Sequence, residues 1–211
     1  MASKKSRLTD IKLLIATTNL GKAEEIGFFL RELPLVTVSL PEIKSKDTYQ
    51  EVSASFLENA RGKSLFYGKN MKGLTLGEDS GLAIDFLKGA PGVRSARFSD
   101  PGATDARNIE KVLRLMEGVP LHKRGARFIS CLVLSQGGQI LAEITGEARG
   151  IITSAKRGQS GFGYDPIFYY PPLDKTFAEL SPGEKNAVSH RGRALEQLKA
   201  FLQKHFHWTK T

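Results

Sequence analysis

The sequence predicts an α/β fold built on a mixed sheet, and two observations favour it. Near the amino end, the apolar run Ile11 to Thr17 leads without a linker into a helix-period stretch, as in strand-helix units. Later, Gly137-Gly138 joins the strand-like runs 126–135 and 139–152, which predicts an antiparallel hairpin. Because one chain contains both patterns, we expect a mixed sheet rather than a purely parallel one.

The first strand ends in the turn Thr17-Thr18-Asn19-Leu20-Gly21-Lys22, where we expect a helix to begin. Such a junction directs unpaired backbone N–H groups and a positive dipole end toward the turn, which suits phosphate. Lys22 adds a full positive charge. The turn lacks the second glycine and the Lys-Ser/Thr pair of a P-loop, so an ordinary strand-helix turn is the alternative. The apolar face of the helix contains four residues: Ala23, Ile26, Leu30 and Leu33.

Acidic residues follow a second short strand, Leu74 to Gly77, which we expect to end at Glu78-Asp79-Ser80-Gly81. Adjacent side chains on extended backbone point to opposite sides. We therefore assign Asp79 to a ligand cleft, and Glu78 to solvent or to a supporting position. Mg²⁺ is held by one or two carboxylates plus substrate phosphates, so Glu51 is a second candidate ligand, with a solvated loop acid as the alternative.

Helical periodicity predicts three further helices. Ser55 to Glu58 fits a capping box at the start of a helix over 55–67, which places Asn59 and Lys63 one turn apart on one face. Residues 105–116 and 193–202 also have apolar residues at helical spacing. No linker, internal repeat or low-complexity segment interrupts the sequence, so we expect a single domain over 1–211, with 1–10 as a flexible tail.

Aromatic side chains and flanking glycines occur together in the segment 161–168, GFGYDPIF. Phe162 and Tyr164 offer faces on which a planar base can stack, a contact that contributes roughly 1–3 kcal/mol per base in single-strand binders. Gly161 and Gly163 allow a sharp turn or a close approach to a ligand. The alternative is a surface loop with two aromatic residues turned inward.

Five ordered motifs carry a resemblance to a known family: TTNLGK from Thr17, FLENA from Phe56, EDSGL from Glu78, GFGYDPIF from Gly161 and SHRG from Ser189. They resemble the inosine/xanthosine triphosphate pyrophosphatase family. The resemblance implies a Mg²⁺-dependent enzyme that hydrolyses inosine, deoxyinosine and xanthosine triphosphates to monophosphate and pyrophosphate. It also implies an elongated fold with the active site in a cleft between two lobes, a homodimer, and a role in keeping deaminated bases out of nucleic acid.

The resemblance also implies roles for residues at the phosphate end. It places the triphosphate against 17–22 and Lys63, with Lys22 and Lys63 as catalytic cations. Asp79 corresponds to a metal ligand that orients or deprotonates the attacking water, and Glu51 corresponds to a second metal ligand. Ser80 corresponds to a substrate contact.

The base pocket implied by the resemblance is formed by Phe162, Gly163, Tyr164, Asp165, His190 and Arg191, with Lys185 close by. Hypoxanthine and xanthine have a 6-keto acceptor where adenine has an amino donor. A cationic donor such as Arg191 or protonated His190 would therefore favour the keto bases. Asp165 either takes part in this selection or anchors the loop.

The net charge of +9 and pI near 9.7 support a competing hypothesis, a nucleic-acid-binding protein. Lys and Arg are scattered rather than clustered, so we expect nucleic acid not to be the partner. A related pyrophosphatase acting on other modified or pyrimidine nucleotides is the second alternative.

The apolar runs are too short to span a membrane and no signal peptide is evident, which predicts a cytoplasmic protein. The single cysteine, Cys131, is expected to be a buried, inert thiol.

Overall fold

The computed structural model describes residues 11–43 and 48–206 of the chain, and the predicted tail 1–10 lies outside them. The strands are β1 Ile11–Ala16, β2 Leu35–Ser39, β3 Leu74–Ile84, β4 Gly125–Gln136, β5 Gln139–Ile152, β6 Phe168–Tyr170 and β7 Lys175–Thr176. The helices are α1 Leu20–Leu30, α2 Phe56–Gly68, α3 Asp105–Leu115, α4 Pro182–Val188 and α5 His190–His205. No helix in these two ranges is long and apolar enough to cross a membrane.

The seven strands form one mixed sheet in the order β2-β1-β3-β4-β5-β6-β7, which confirms the predicted fold class. The strands β2, β1 and β3 are parallel, and each pairing from β3 to β7 is antiparallel. The predicted hairpin is present, since β4 and β5 are joined by Gly137 and Gly138, whose φ angles of 56° and 81° require glycine. Both topologies predicted for the two halves therefore occur in a single sheet.

The predicted end of the second strand at Gly77 is wrong. β3 continues through Glu78 and Asp79 to Ile84, because β4 pairs with it along its whole length, from Leu74 opposite Gln136 to Ile84 opposite Ala126. β1 pairs with β3 only as far as Gly77. Within the described residues, the second half of β3 therefore has β4 on one side and no strand on the side where β1 ends.

The predicted helices form with small shifts at their ends. α5 begins at His190 rather than at residue 193, since the Ser189 side chain accepts a hydrogen bond from the Gly192 N–H and caps it. Ser55 caps α2, but the reciprocal half of the expected capping box is absent, because the Ser55 N–H donates to Ser53. The short elements β2, β6, β7 and α4 were not predicted.

Two apolar cores lie on one face of the sheet. One packs α1 and α5 against β1, β3 and β4, with Leu76 at its centre, and the other packs α3 and Phe168 against Leu82 and Ile84. Glu78 and Ser80 lie between these two groups along β3. α2 covers the opposite face, where Gly77 allows it to approach closely and where Cys131 is buried, as predicted.

Candidate functional site

A cavity of about 400 Å³ lies at the uncovered half of β3, beyond the carboxyl end of β1. Such positions are common ligand sites in α/β proteins. Fifteen of the seventeen predicted site residues line this central cavity: Thr17, Thr18, Asn19, Lys22, Glu51, Lys63, Asp79, Ser80, Phe162, Gly163, Tyr164, Asp165, Lys185, His190 and Arg191. Leu20 and Gly21 do not line it. Leu20 points outward with 62% of its surface exposed, and Gly21 borders a neighbouring cavity.

The turn before α1 has the geometry of a helix amino terminus. Asn19 is the cap, and its side chain accepts a hydrogen bond from the Lys22 N–H at 3.0 Å. The Asn19 N–H donates to the Thr17 hydroxyl at 3.2 Å, which holds the turn closed. The first-turn N–H groups of Leu20 and Gly21 have no partner within the helix, as at any helix start. This turn therefore offers backbone donors suited to an anion.

The Asp79 cluster consists of Asp79, Asn59, Lys63 and Glu51. The Asn59 amide donates to Asp79 Oδ2 at 3.1 Å, and Lys63 Nζ lies 3.5 Å from Asp79 Oδ1. Lys63 also forms an ion pair with Glu51 and donates to the Glu78 carbonyl at 3.1 Å. The predicted one-turn spacing of Asn59 and Lys63 on α2 therefore places both side chains on Asp79.

Burial raises the pKa of Asp79 above its ordinary value, and the Lys63 and Lys22 ammonium groups only partly offset this effect. Burial disfavours the Lys63 ammonium, but Asp79 and Glu51 outweigh it and raise the Lys63 pKa. Asp79 therefore has a carboxylate that is more basic than usual.

The Asp79 cluster fits a hard divalent cation in its donor set. Two carboxylates, from Asp79 and Glu51, converge on one cationic atom, Lys63 Nζ. Within 11–43 and 48–206, no group of three or more His, Cys, Asp or Glu residues could hold a metal. Two carboxylates completed by substrate phosphates are the usual arrangement for Mg²⁺, and they require no third protein acid.

The Glu78 network lies on the other face of β3 and consists of Glu78, Lys22, Arg191, Glu25, Lys185 and Asp165. Glu78 is fully buried, so the assignment to solvent is excluded and only the supporting position remains. Its carboxylate forms ion pairs with Lys22 at 2.9 Å and Arg191 at 3.0 Å. Burial opposes this charge, but the Lys22 and Arg191 cations outweigh burial and hold the Glu78 pKa well below its usual range.

Arg191 is 2% exposed and is fixed from several directions. Besides Glu78, its guanidinium donates to Glu25 and, at 2.9 Å, to the Ser80 hydroxyl. Glu25 also accepts from Lys185 at 2.6 Å, and Lys185 donates in turn to Asp165 at 2.5 Å. Three carboxylates and three cations therefore alternate through the network.

The loop that contains Phe162 is held by two carboxylates. The Phe162 N–H donates to Asp165 Oδ2 at 3.0 Å, and the Gly163 N–H donates to Asp105 Oδ2 at 2.7 Å. Asp165 thus anchors the loop, which was one of its two predicted roles. Lys185 Nζ lies 4.8 Å from the centroid of the Phe162 ring.

Tyr164 differs from the expected stacking surface. Its ring belongs to the core around α3, and its hydroxyl donates to the Ser95 carbonyl at 2.8 Å. Burial raises its pKa. Of the two predicted aromatic rings, only the half-buried Phe162 is available for stacking, because Tyr164 is buried in the core.

His190 is the first residue of α5, and its ring stacks on Phe128 with centroids 4.6 Å apart. Burial, reinforced by Arg191 and Lys185, lowers the His190 pKa well below its usual value. This direction favours the neutral imidazole over the protonated donor considered from sequence. Its buried Nδ1 has no hydrogen-bond partner among the residues that the structure describes.

Sequence reasoning missed Glu25 and Asp105. Glu25 lies one helical turn after Lys22, so the spacing alone puts both on one side of α1. Asp105 is the first residue of α3, where an acidic residue is ordinary, and no local signal distinguishes it.

Comparison with known proteins connects this geometry to a family. A model of the Ham1 family matches residues 13–201. The dITP/XTP pyrophosphatase of Geobacillus kaustophilus is 41% identical over 89% of this chain and 92% of its own length, and that of Gloeobacter violaceus is 44% identical over 88% and 91%.

Solved structures give the same result. A HAM1 protein from Coxiella burnetii superposes with a TM-score of 0.82 at 39% identity, covering 92% of this chain and 99% of that one. A nucleoside-triphosphatase / dITP/XTP pyrophosphatase from Mycobacterium abscessus has a TM-score of 0.70 at 38% identity, covering 89% and 97%. The chain belongs to the Ham1 family.

Proposed function

We propose that the protein hydrolyses deaminated purine nucleoside triphosphates, namely inosine, deoxyinosine and xanthosine triphosphates, to the monophosphate and pyrophosphate. The observation that carries this proposal is that one cavity is lined both by a buried acid-lysine cluster and by an aromatic ring beside a fixed arginine. The first suits phosphoryl chemistry and the second suits a planar base. The names of the relatives from Geobacillus kaustophilus and Gloeobacter violaceus support the substrate class.

The phosphate end of the proposed site consists of the 17–22 turn and the Asp79 cluster. The turn presents backbone donors to the triphosphate, and Lys22 and Lys63 supply positive charge. Attack by water at the α-phosphorus builds negative charge on the bridging oxygen and on the departing pyrophosphate, so preorganised cations stabilise the transition state. Asp79 accepts the proton of the attacking water, or orients that water, and its raised pKa suits a base.

We propose Mg²⁺ as the cofactor, held by Asp79 and Glu51 together with substrate phosphates. When bound, Mg²⁺ supplies charge neutralisation and lowers the pKa of coordinated water. Lys63 would give up part of its contact with Glu51 and Asp79 to reach a phosphate oxygen, because oxygen atoms of Glu51, Asp79 and the Glu78 carbonyl already surround its ammonium group.

At the base end, Phe162 provides the stacking face and Arg191 the donor for the 6-keto oxygen. In the Glu78 network the three carboxylates of Glu78, Glu25 and Asp165 balance the three cations. The uncharged base would therefore contact a Glu78 network whose charges sum to zero but whose groups are polar. Adenine would place an amino donor against the arginine donor, and an unpaired buried donor costs about 1–3 kcal/mol.

The test is product analysis by anion exchange after incubation with inosine, guanosine and adenosine triphosphates, with and without Mg²⁺. We expect monophosphate and pyrophosphate from the inosine substrate, only when Mg²⁺ is present, and much faster than from the other two. Diphosphate with orthophosphate, or no cleavage at all, would refute the proposal. Faster cleavage of pyrimidine or other modified triphosphates in the same assay would favour the related pyrophosphatase instead.

The remaining proposals concern assembly and location. We propose that the cavity is the cleft between two lobes, and that the protein is a cytoplasmic homodimer that does not act on nucleic acid. Large apolar side chains that remain exposed, such as Leu121 at 68%, support a contact with a second copy. Light scattering on the purified protein tests the dimer, and oligonucleotide retention across a salt series tests nucleic-acid binding.

A further inference from the structure

The Phe162 ring separates two cavities. On one side is the central cavity of about 400 Å³. On the other is a rear cavity of about 500 Å³, whose lining includes Gly21, Phe28, Phe162 and Lys185. Phe162 and Lys185 border both cavities. The position of one ring therefore divides the space available to a base from the space behind it.

Gly21 is what allows the ring to lie where it does. A Cβ atom added at Gly21 would stand 2.8 Å from Phe162 Cδ1, 3.0 Å from Cε1 and 3.2 Å from Cγ. Real Cβ atoms essentially never come as close to another atom as the 2.8 Å to Cδ1, so the ring would have to move. Gly21 is in the first turn of α1, where the backbone is helical, so a side chain is excluded by the ring and not by backbone strain.

The other contacts of Phe162 limit how the ring can respond. Its own N–H and that of Gly163 are held by Asp165 and Asp105. The ring also lies 4.8 Å from Lys185 Nζ and 5.7 Å from the Arg191 guanidinium carbon. With the loop backbone fixed, pressure from α1 would rotate the ring relative to these two cations.

We propose that Gly21 is a specificity-determining position for base recognition, and that it acts by setting where Phe162 lies relative to Arg191 and Lys185. This inference rests on the proposed function, since it assumes that the base stacks on Phe162. It gives Gly21 a role in addition to the phosphate contact expected from sequence. Gly21 is a positioning residue, since it acts through Phe162.

The experiment compares Gly21→Ala with Gly27→Ala, which makes the same change six residues later in α1. A Cβ at Gly27 would meet only Thr37 Oγ1, at 3.9 Å. We expect Gly21→Ala to lower kcat/KM for inosine triphosphate by about 10- to 100-fold, mainly through KM, because a displaced ring spoils alignment of the base. Gly27→Ala should stay within about twofold of the original protein.

A double-mutant cycle with Phe162→Ala distinguishes displacement of the Phe162 ring from a disturbance of the 17–22 turn. Without the ring there is nothing for the new Cβ to displace, so Gly21→Ala should have almost no further effect in the Phe162→Ala background. An equal loss in both backgrounds, or a Gly21→Ala protein as active as Gly27→Ala, would overturn the inference.

The melting temperatures of the same proteins distinguish failure of this inference from failure of the proposed function. If the original protein cleaves no inosine triphosphate, the proposed function fails, and the activity cycle cannot report on position 21. Non-additive melting temperatures for Gly21→Ala and Phe162→Ala would still support the contact between the two residues. Additive values would overturn it.

Discussion

The two faces of β3 hold neighbouring acids in contrasting surroundings. On the α2 face, Asp79 and Glu51 share one buried lysine, and the only other cation on Glu51 among the described residues is the half-exposed Arg97 at 3.4 Å. On the α1 and α5 face, Glu78 has two cations of its own, and the surrounding Glu78 network contains as many cations as carboxylates. Residues adjacent in sequence thus differ in how fully their charge is compensated.

The difference fits the proposed roles of Asp79 as the reactive group and Glu78 as the supporting one. Asp79 is buried with incomplete compensation, so its pKa is raised and it can still accept a proton or a metal ion. Glu78 is saturated, its pKa is lowered, and it holds Lys22 and Arg191 in place. We infer that one face of β3 carries the chemistry and the other carries the frame that orients the substrate.

The largest expected effect is loss of turnover in Asp79→Asn. The amide keeps the hydrogen-bonding shape but can neither take a proton nor bind Mg²⁺ well, so kcat should fall by about 10²–10⁴-fold. Steady-state kinetics with inosine triphosphate measures the loss, and circular dichroism should show an unchanged fold. Asp100→Asn, the same change at an exposed aspartate, is the control and should keep its activity. Near-normal turnover in Asp79→Asn would remove Asp79 from the mechanism.

Glu78→Gln should lower the free energy of unfolding much more than Glu51→Gln does. Glu78→Gln leaves the buried Arg191 and the partly buried Lys22 without their shared carboxylate, so the free energy of unfolding should fall by about 3–5 kcal/mol. The Glu51 side chain is 25% exposed, and its loss should cost only about 0–1 kcal/mol while reducing turnover. Urea denaturation measures both changes. Equal destabilisation by the two variants would contradict the division of roles between the faces.

Low pH should reduce the contribution that Glu78 makes to the free energy of unfolding. The folded-state pKa of Glu78 lies below its ordinary value of 4.5, so its stabilising contribution is present above about pH 4.5 and is lost as the pH falls toward the folded-state pKa. The stability gap between the original protein and Glu78→Gln should therefore be constant from about pH 6 to 8 and narrow below about pH 4.5. Urea titrations at each pH test this, and a gap that widens in acid would reverse the assigned sign.

The smallest effect is expected for Arg191→Lys. Lysine keeps the charge but not the planar fork that reaches Glu78, Glu25 and Ser80 together. Preference for inosine over adenosine triphosphate, as a ratio of kcat/KM, should fall by roughly tenfold, or about 1–2 kcal/mol. Arg193→Lys, on the exposed side of α5, is the matched control. If both substrates lose rate equally, Arg191 acts on the phosphates or on the fold, not on the base.

Local patterns were sufficient for most of the fold. Strand-length apolar runs, helical spacing and the Gly137-Gly138 turn are signals carried by neighbouring residues, and they predicted β1, β4, β5 and three helices closely. The continuation of β3 through Glu78 and Asp79 could not be predicted in this way. Two adjacent acids disfavour a strand locally, and only pairing with β4 and the cations on both faces overcome that preference.

The sequence by itself determined the fold class, the family resemblance and the residues that gather around the central cavity. These depend on residue types at short, fixed spacings. The tertiary structure decided which of two adjacent acids is fully paired with cations, that Tyr164 belongs to the core, that burial lowers the pKa of His190, and that Gly21 makes room for Phe162. Such properties depend on burial and on charges brought together from distant segments, so no local stretch of sequence contains them.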